Sequence, residues 1–256
     1  MPGRALRADQ RAPHTAGQSA DQRQDGDGPA PPALGTTGRL LQRVRRLRRA
    51  LRGAWFDRRL GVETRNRVIT SSRSSEHFGY EAADVWQLEK VLPRREVGPD
   101  DVLVDVGAGK GRVLLFAVRH YALRRVIGVE LMPQLAAVAR RNVSARPEPE
   151  RCRMTIVEAD AATWRVPEDA TVFHLFNPFG GATFRSFLAS VVESQRRRPR
   201  LVRLVYSHGR HHRDVLDAGF EVVRVRPRYA LYQRHPNQED PLAEPLRAGQ
   251  GPDDPQ

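Results

Sequence analysis

An aspartate followed by three closely spaced glycines is the most informative group of residues in this chain. Asp105 comes after an apolar Val-Leu-Val run, and Gly107, Gly109 and Gly111 follow it. Glycine has no Cβ, so these positions can take positive φ and let a ligand lie against bare backbone. The predicted helix 111–121 points its unpaired N–H groups at the same place. The pattern predicts a turn that binds a small molecule at the end of a parallel strand.

The spacing of these glycines indicates the kind of ligand. They form Gly-x-Gly-x-Gly, whereas dinucleotide-binding loops have the spacing Gly-x-Gly-x-x-Gly. A carboxylate at Asp105, two residues before the first glycine, favours a cationic ligand over a pyrophosphate, unless it only caps the helix. An NAD oxidoreductase stays an alternative, because an acid such as Glu130 suits the ribose of either nucleotide.

Three further apolar segments are predicted strands, and each is followed by residues that could complete a nucleotide site. They are 125–131 with Glu130 and Leu131, 153–158 with Asp160 and Ala161, and 171–176 with Asn177. In an open parallel sheet the carboxyl ends of such strands meet at one edge, where ligands bind. The ordered set is more specific than any single segment.

This order of motifs resembles the class I S-adenosyl-L-methionine (SAM) methyltransferases, whose first motif is an apolar strand, an acid and Gly-x-Gly-x-Gly. The resemblance implies SAM as cofactor, with the methionine end at Asp105 and the glycine loop, which includes Ala108. It also implies that Glu130 and Leu131 bind the ribose, and that Asp160 and Ala161 bind the adenine.

The segment Asn177-Pro178-Phe179 is the predicted place for chemistry. It is similar to the Asn/Asp-Pro-Pro-aromatic segment of nitrogen methyltransferases, although it has one proline where they have two. The resemblance implies that Asn177 accepts a hydrogen bond from the acceptor N–H and that Phe179 packs against the acceptor. The alternatives are a turn residue for Asn177 and a core side chain for Phe179.

A closer resemblance covers residues 56 to about 234. Its motifs are 56–64, Gly79-Tyr80-Glu81, 104–113 and 177–179. They look like a family of small, mostly uncharacterised bacterial SAM methyltransferases, whose Asp-x-Gly-x-Gly-Lys-Gly-Arg loop resembles that of the Dot1-like histone-lysine methyltransferases. Tyr80 and Glu81 are predicted to cover the site, with Glu81 binding the methionine amino group or orienting the acceptor. Ordinary burial of the aromatic ring is the alternative.

Histidines and the one cysteine do not indicate a metal site. His208, His211 and His212 are close together, but neither a cysteine nor an acid stands at ligand spacing from them. His174, inside a predicted strand, is interpreted as a core histidine with its hydrogen bonds satisfied. Cys152 is the only cysteine, so an internal disulfide is excluded.

The composition is strongly basic. The 256 residues carry a formal charge of +13, which permits binding to phosphate. Lys90 and Lys110 are the only lysines, so a general preference for arginine is the other interpretation. Residues 1–36 and 236–256 have the composition of disordered tails. Neither a leader peptide nor a membrane span is recognised, which predicts a cytoplasmic protein.

Residues 39–59 concentrate the positive charge. Leu40, Val44, Leu47, Leu51 and Trp55 recur at helical spacing with arginines between them, from Arg39 to Arg59. The pattern predicts a basic amphipathic helix. Such a helix could bind nucleic acid or the ribosome, lie on an anionic membrane surface, or dock on the catalytic domain.

The remaining elements predict an α/β fold. Strands at 101–106, 125–131, 153–158, 171–176 and 201–206 alternate with helices at 111–121, 133–145, 182–196 and 211–218, and a helix at 82–92 precedes them. Two last strands, 221–226 and 229–233, form a hairpin around Pro227. We expect a Rossmann-like, doubly wound, seven-stranded, mostly parallel sheet with an antiparallel last strand, the class I methyltransferase fold.

The expected domains are a tail at 1–36, the basic helix with a connector at 37–78, a SAM-binding methyltransferase domain at 79–235 and a tail at 236–256. The expected function is methyl transfer from SAM to a nitrogen acceptor, with a protein side-chain amine preferred and Asn177, Phe179 and Tyr80 holding the acceptor. Two alternatives stay open: an RNA methyltransferase that uses the basic helix, and a SAM-binding or nucleic-acid-binding module without turnover.

Overall fold

The computed structural model describes residues 36–65, 81–177 and 179–236. The chain divides into two compact units, Met1–Arg43 and Val44–Gln256. Except for Thr36 and Pro236, the two predicted tails lie outside the described residues, as do Tyr80 and Pro178. No helix among the described residues is long and apolar enough to cross a membrane.

The elements follow the predicted order. The helices are α1 (Thr36–Leu60), α2 (Val85–Val91), α3 (Arg112–His120), α4 (Pro133–Ser144), α5 (Glu148–Arg151), α6 (Gly181–Arg197) and α7 (His212–Asp217), with a 3-10 turn at Arg94–Glu96. The strands are β1 (Val102–Val106), β2 (Arg125–Glu130), β3 (Met154–Glu158), β4 (Val172–Leu175), β5 (Val202–Ser207), β6 (Glu221–Arg226) and β7 (Tyr229–Arg234).

The strands form one seven-stranded sheet in the order β3-β2-β1-β4-β5-β7-β6. Neighbours from β3 to β5 are parallel, and β7 is antiparallel to both β5 and β6. The predicted fold class is therefore confirmed. All five residues of β1 are buried, because helices cover both faces of a parallel sheet and leave no solvent-facing side to the central strand.

Two apolar clusters cover the two faces of the sheet. One includes Leu88 of α2, Leu114 of α3 and Leu60 of α1, and the other includes Phe184 and Phe187 of α6. The carboxyl ends of β1, β2 and β4 are held in fixed register, with Asp105 opposite Gly128 on one side and His174 on the other. This register decides which polar residues meet at the candidate site.

Within the second unit, α1 docks on the sheet domain through one face. Phe56 and Leu60 are buried, and the Phe56 ring meets Trp86 edge to face at a centroid distance of 6.1 Å. Gly53 permits close approach, because a Cβ there would lie 3.3 Å from both terminal nitrogens of Arg112. The apolar stripe that the sequence indicates is on another face: Val44, Leu47, Leu51 and Trp55 are exposed, and Leu40 is exposed in the first unit.

Candidate functional site

The glycine turn between β1 and α3 has the backbone that its sequence predicts. Gly107, Gly109 and Gly111 have φ values of 75°, 55° and 80°. The N–H groups of Gly107 and Ala108 both donate to the Val129 carbonyl at 2.9 Å. The Gly109 N–H donates to Glu130 Oε2 at 2.7 Å, and that of Gly111 donates to the Ala108 carbonyl at 2.9 Å. Because these four N–H groups have partners inside the protein, the turn is not an open cradle for phosphate.

Glu130 ends β2 and connects the glycine turn to the start of α4. Its Oε1 accepts a hydrogen bond from the Met132 N–H at 2.9 Å, in addition to the bond from Gly109. Burial raises the pKa of Glu130, and the negative charge of Asp105 raises it further, while the hydrogen bonds from Met132 and Gly109 oppose the shift. A cationic ligand nearby would stabilise the ionised carboxylate, and each oxygen retains capacity for another donor.

Asp105 pairs with a histidine on the adjacent strand. His174 Nδ1 lies 2.7 Å from Asp105 Oδ1, and the two residues are 1% and 3% exposed. Because a carboxylate only accepts hydrogen bonds, Nδ1 is the donor. His174 Nε2 is buried with no hydrogen-bond partner among the described residues. The expectation of a fully satisfied core histidine is therefore wrong for this atom.

The basic residues of the glycine turn point towards the end of α1 and the residues after it. Lys110 Nζ contacts Glu63 Oε1 at 2.5 Å. Arg112 Nε donates to Thr64 Oγ1 at 2.7 Å, and its Nη2 lies 3.3 Å from Asp57 Oδ1. The segment 57–65 is thus clamped to the turn. The sequence shows both motifs but not their pairing; the one signal for it is the opposite charge of Asp57 and Glu63 in one motif and Lys110 and Arg112 in the other.

The residues predicted to bind the adenine lie after β3. Asp160 Oδ1 accepts a hydrogen bond from the Ala162 N–H at 2.9 Å, and its carbonyl accepts one from Trp164 at 2.8 Å. Asp160 is partly exposed and Ala161 is buried. Leu131, after Glu130, is 43% exposed, so its apolar side chain is available to a ligand.

Asn177 follows β4 in a left-handed backbone conformation with φ of 44°, which Asn takes more readily than most residues other than glycine. Its Oδ1 accepts a hydrogen bond from the Tyr206 hydroxyl at 3.3 Å. Burial raises the pKa of Tyr206, while the backbone N–H groups of His211 and Arg210 oppose the shift. Tyr206 therefore connects Asn177 to β5, a role that the sequence did not indicate.

Phe179 and Glu81 differ in how accessible they are. The Phe179 ring is 4% exposed and packs 6.3 Å from the rings of Phe184 and Phe187. Its burial favours the packing alternative for the side chain. Glu81 is exposed, and its Oε1 lies 3.2 Å from an Arg49 nitrogen.

The three histidines after β5 have separate partners. His211 Nδ1 lies 3.2 Å from Asp214 Oδ2, His212 contacts the Tyr232 hydroxyl, and His208 contacts the Ser207 hydroxyl. No group of side chains in the described part of the chain could hold a metal ion. These contacts leave the edge formed by β1, β2 and β4 as the candidate site.

Comparisons with known proteins bear on this edge. Residues 103–194 match the family described as "Methyltransferase domain", a segment that includes the glycine turn, Glu130, Asp160 and Asn177. No curated protein matches the chain.

Several solved structures are similar. An RNA methyltransferase from Salinibacter ruber in complex with S-adenosyl-L-homocysteine is 21% identical, with 66% of this chain and 99% of that chain covered and a TM-score of 0.44. A SAM-dependent methyltransferase from Aquifex aeolicus is 14% identical, with 57% and 87% covered and a TM-score of 0.45. The glycopeptide N-methyltransferase MtfA with S-adenosyl-L-homocysteine is 20% identical, with 71% and 68% covered and a TM-score of 0.41.

The strand order, with its antiparallel β7, and the matched domain define the class of protein. It is a SAM-dependent methyltransferase, and SAM is its cofactor.

Proposed function

We propose that the protein transfers the methyl group of SAM to a nitrogen acceptor, and that the acceptor is a side-chain amine of a protein. The observation that carries the proposal is the fixed position of Asn177. Its left-handed backbone and the hydrogen bond from Tyr206 hold an amide oxygen after β4. An amide oxygen accepts a hydrogen bond from an N–H group and so suits a nitrogen acceptor.

The residues at the glycine turn fit a cationic cofactor better than a phosphate-bearing one. Two buried carboxylates, Asp105 and Glu130, lie close enough for one to shift the pKa of the other. Four N–H groups of the turn already have partners. A ligand with an ammonium and a sulfonium group would relieve the carboxylate repulsion.

We assign one part of SAM to each strand end. Asp105, with Gly107, Ala108, Gly109 and Gly111, would hold the methionine end, and Glu81 would approach the same amino group. Glu130 would accept hydrogen bonds from the ribose hydroxyls, with Leu131 packed beside them. Asp160 and Ala161 would contact the adenine. The acidic strand ends on β1, β2 and β3 support this arrangement.

SAM supplies an electrophilic methyl group, so the protein needs mainly to align the acceptor and exclude water. Asn177 would orient the acceptor N–H so that its lone pair points at the methyl carbon, and Tyr80 would cover it. Phe179 would anchor the segment after β4 that carries Asn177, because its ring packs against Phe184 and Phe187 of α6. A neutral amine attacks, and its extra proton leaves to water after transfer, so no strong base is required.

The glycine loop supports the choice of a protein amine, because its Asp-x-Gly-x-Gly-Lys-Gly-Arg form resembles that of the Dot1-like histone-lysine enzymes. We also infer from this loop that the chain belongs to the small bacterial family named above. We place the enzyme in the cytoplasm, as the sequence predicts. RNA is the second candidate acceptor, and the exposed arginines of α1 favour it, since such side chains bind phosphate.

Methylation assays with labelled SAM and fractionated lysate test the proposal. Label in protein, lost on treatment with protease and reduced at least about tenfold in Asn177→Ala, is the expected result. Label that is lost on treatment with ribonuclease would show RNA to be the acceptor. Titration calorimetry with SAM distinguishes loss of cofactor binding from loss of acceptor positioning. An Asn177→Ala protein that binds SAM normally but is inactive has lost only the positioning of the acceptor.

A further inference from the structure

The outward side of α1 carries an apolar stripe in the second unit. Val44, Leu47, Leu51 and Trp55 are 46%, 60%, 60% and 56% exposed. Their spacing of three and four residues places them on one side of the helix. Large apolar side chains that line up in this way on a surface mark a site of interaction. We name these four residues the outer stripe.

The opposite side of the same helix is the side that docks on the sheet domain. Arg49 donates a hydrogen bond to the Ala82 carbonyl at 2.9 Å, and Phe56 and Leu60 are buried. A step of about 100° per residue puts these residues roughly opposite the outer stripe. The helix is therefore anchored by one side, and its apolar stripe faces away from the domain.

Positive charge surrounds the outer stripe. The exposed arginines are Arg46, Arg48, Arg52, Arg58 and Arg59. The only acid in residues 44–60 is Asp57, which is buried and paired with Arg112. The Arg59 guanidinium lies 5.0 Å from the centre of the Trp55 ring, so aromatic and cationic groups are side by side. This exposed surface is thus both apolar and uniformly cationic.

An anionic bilayer complements both properties, whereas RNA and a second copy of the helix each complement one. RNA would pair with the arginines and leave the leucines in water. A second copy of the helix would cover the leucines and bring arginines of like charge together. The interface of an anionic bilayer takes the apolar side chains among its acyl chains and the arginines among its phosphates, with Trp at the boundary.

We propose that the outer stripe binds α1 flat on a lipid bilayer that contains anionic lipid, with the sheet domain on the far side of the helix. Arginine side chains extend their charged ends towards the headgroups while their stems lie along the apolar surface. The contact leaves the strand ends at the SAM site untouched, so it does not rest on the identity of the methyl acceptor.

Vesicle sedimentation with the full-length protein tests the proposal. The probes are phosphatidylcholine vesicles and the same vesicles with about 30% phosphatidylglycerol. We expect at least about tenfold tighter partition to the anionic vesicles, falling as salt rises. Leu47→Gln with Leu51→Gln should reduce that partition about tenfold or more. Arg48→Gln with Arg58→Gln should lower the preference for anionic lipid about tenfold, because two of the five exposed arginines are lost.

The matched control is Val223→Gln with Val225→Gln, which removes two apolar side chains of 44% and 62% exposure from the edge strand β6. The control should partition like the natural protein, and all variants should bind SAM equally by calorimetry. Equal partition of the natural protein to both vesicles would overturn the proposal, as would full binding by the Leu47/Leu51 variant. Loss of a dimer in that variant, seen by light scattering without vesicle binding, would assign the stripe to a second copy.

Discussion

His174 on β4 holds Asp105 on β1 through a 2.7 Å contact between His174 Nδ1 and Asp105 Oδ1. The two residues are opposite each other in the parallel register, so the pair is built into the sheet itself. A buried carboxylate with one oxygen occupied can present the other in a defined direction. This pair therefore connects Asp105 of the candidate site to the strand that leads to Asn177.

Replacing His174 tests whether that contact positions Asp105. His174→Leu should weaken SAM binding by about tenfold or more, because a buried carboxylate loses a charge-assisted hydrogen bond. His174→Asn, which retains a donor near the Nδ1 position, should lose less. Titration calorimetry gives both affinities, with circular dichroism to confirm folding. Unchanged affinity in a folded His174→Leu protein would show that Asp105 needs no such support.

SAM binding should depend on pH through Glu130. Burial raises the pKa of Glu130 above its usual value of about 4.3. The ligand-free protein therefore loses stability as pH rises from the pKa of Glu130 in the unfolded chain to its higher pKa in the folded protein. A cationic ligand favours the ionised form, so SAM affinity should rise with pH over the same interval. Calorimetry across this range is the measurement. Glu130→Gln should bind weakly and show a flat profile there, and a steep profile in that variant would assign the pH dependence to another group.

The Tyr206 hydroxyl should matter for acceptor turnover more than for cofactor binding. Tyr206→Phe removes the donor to Asn177 Oδ1 and keeps the buried ring. We expect kcat/KM for the methyl acceptor to fall about tenfold, while the Kd for SAM stays within about twofold. Steady-state kinetics and calorimetry separate the two. A parallel loss of SAM affinity would place Tyr206 at the cofactor instead.

The clamp between α1 and the glycine turn should contribute strongly to stability. Asp57→Ala leaves the buried Arg112 guanidinium without its carboxylate, which should lower the free energy of unfolding by about 3–5 kcal/mol. The matched control is Asp217→Ala, whose exposed pair with Arg213 is worth about 1 kcal/mol or less. Urea denaturation gives both values. Equal losses would show that Thr64 and the other contacts hold Arg112 without Asp57.

The order and type of the elements could be predicted because they depend on local pattern. Local apolar patterns predict the buried strands and the buried helix faces. Examples are the apolar runs that end in Asp105 and Glu130 and the helical spacing of Phe184, Phe187 and Leu188. The positive φ of the glycine turn is equally local, since only glycine takes that conformation without cost. The sequence by itself therefore determined the fold class and which polar residues follow the strands at the candidate site.

The tertiary structure decided which side chains meet. Asp105 and His174 are sixty-nine positions apart, and Arg112 and Asp57 are fifty-five apart, so no helical or strand periodicity relates them. The sequence pattern also did not determine which face of α1 packs on the sheet domain. Its apolar stripe suggested docking, whereas the face with Gly53 and Phe56 is the one that is buried. Contacts between distant segments depend on strand register and on the space left by backbone and neighbouring side chains, which local periodicity does not encode.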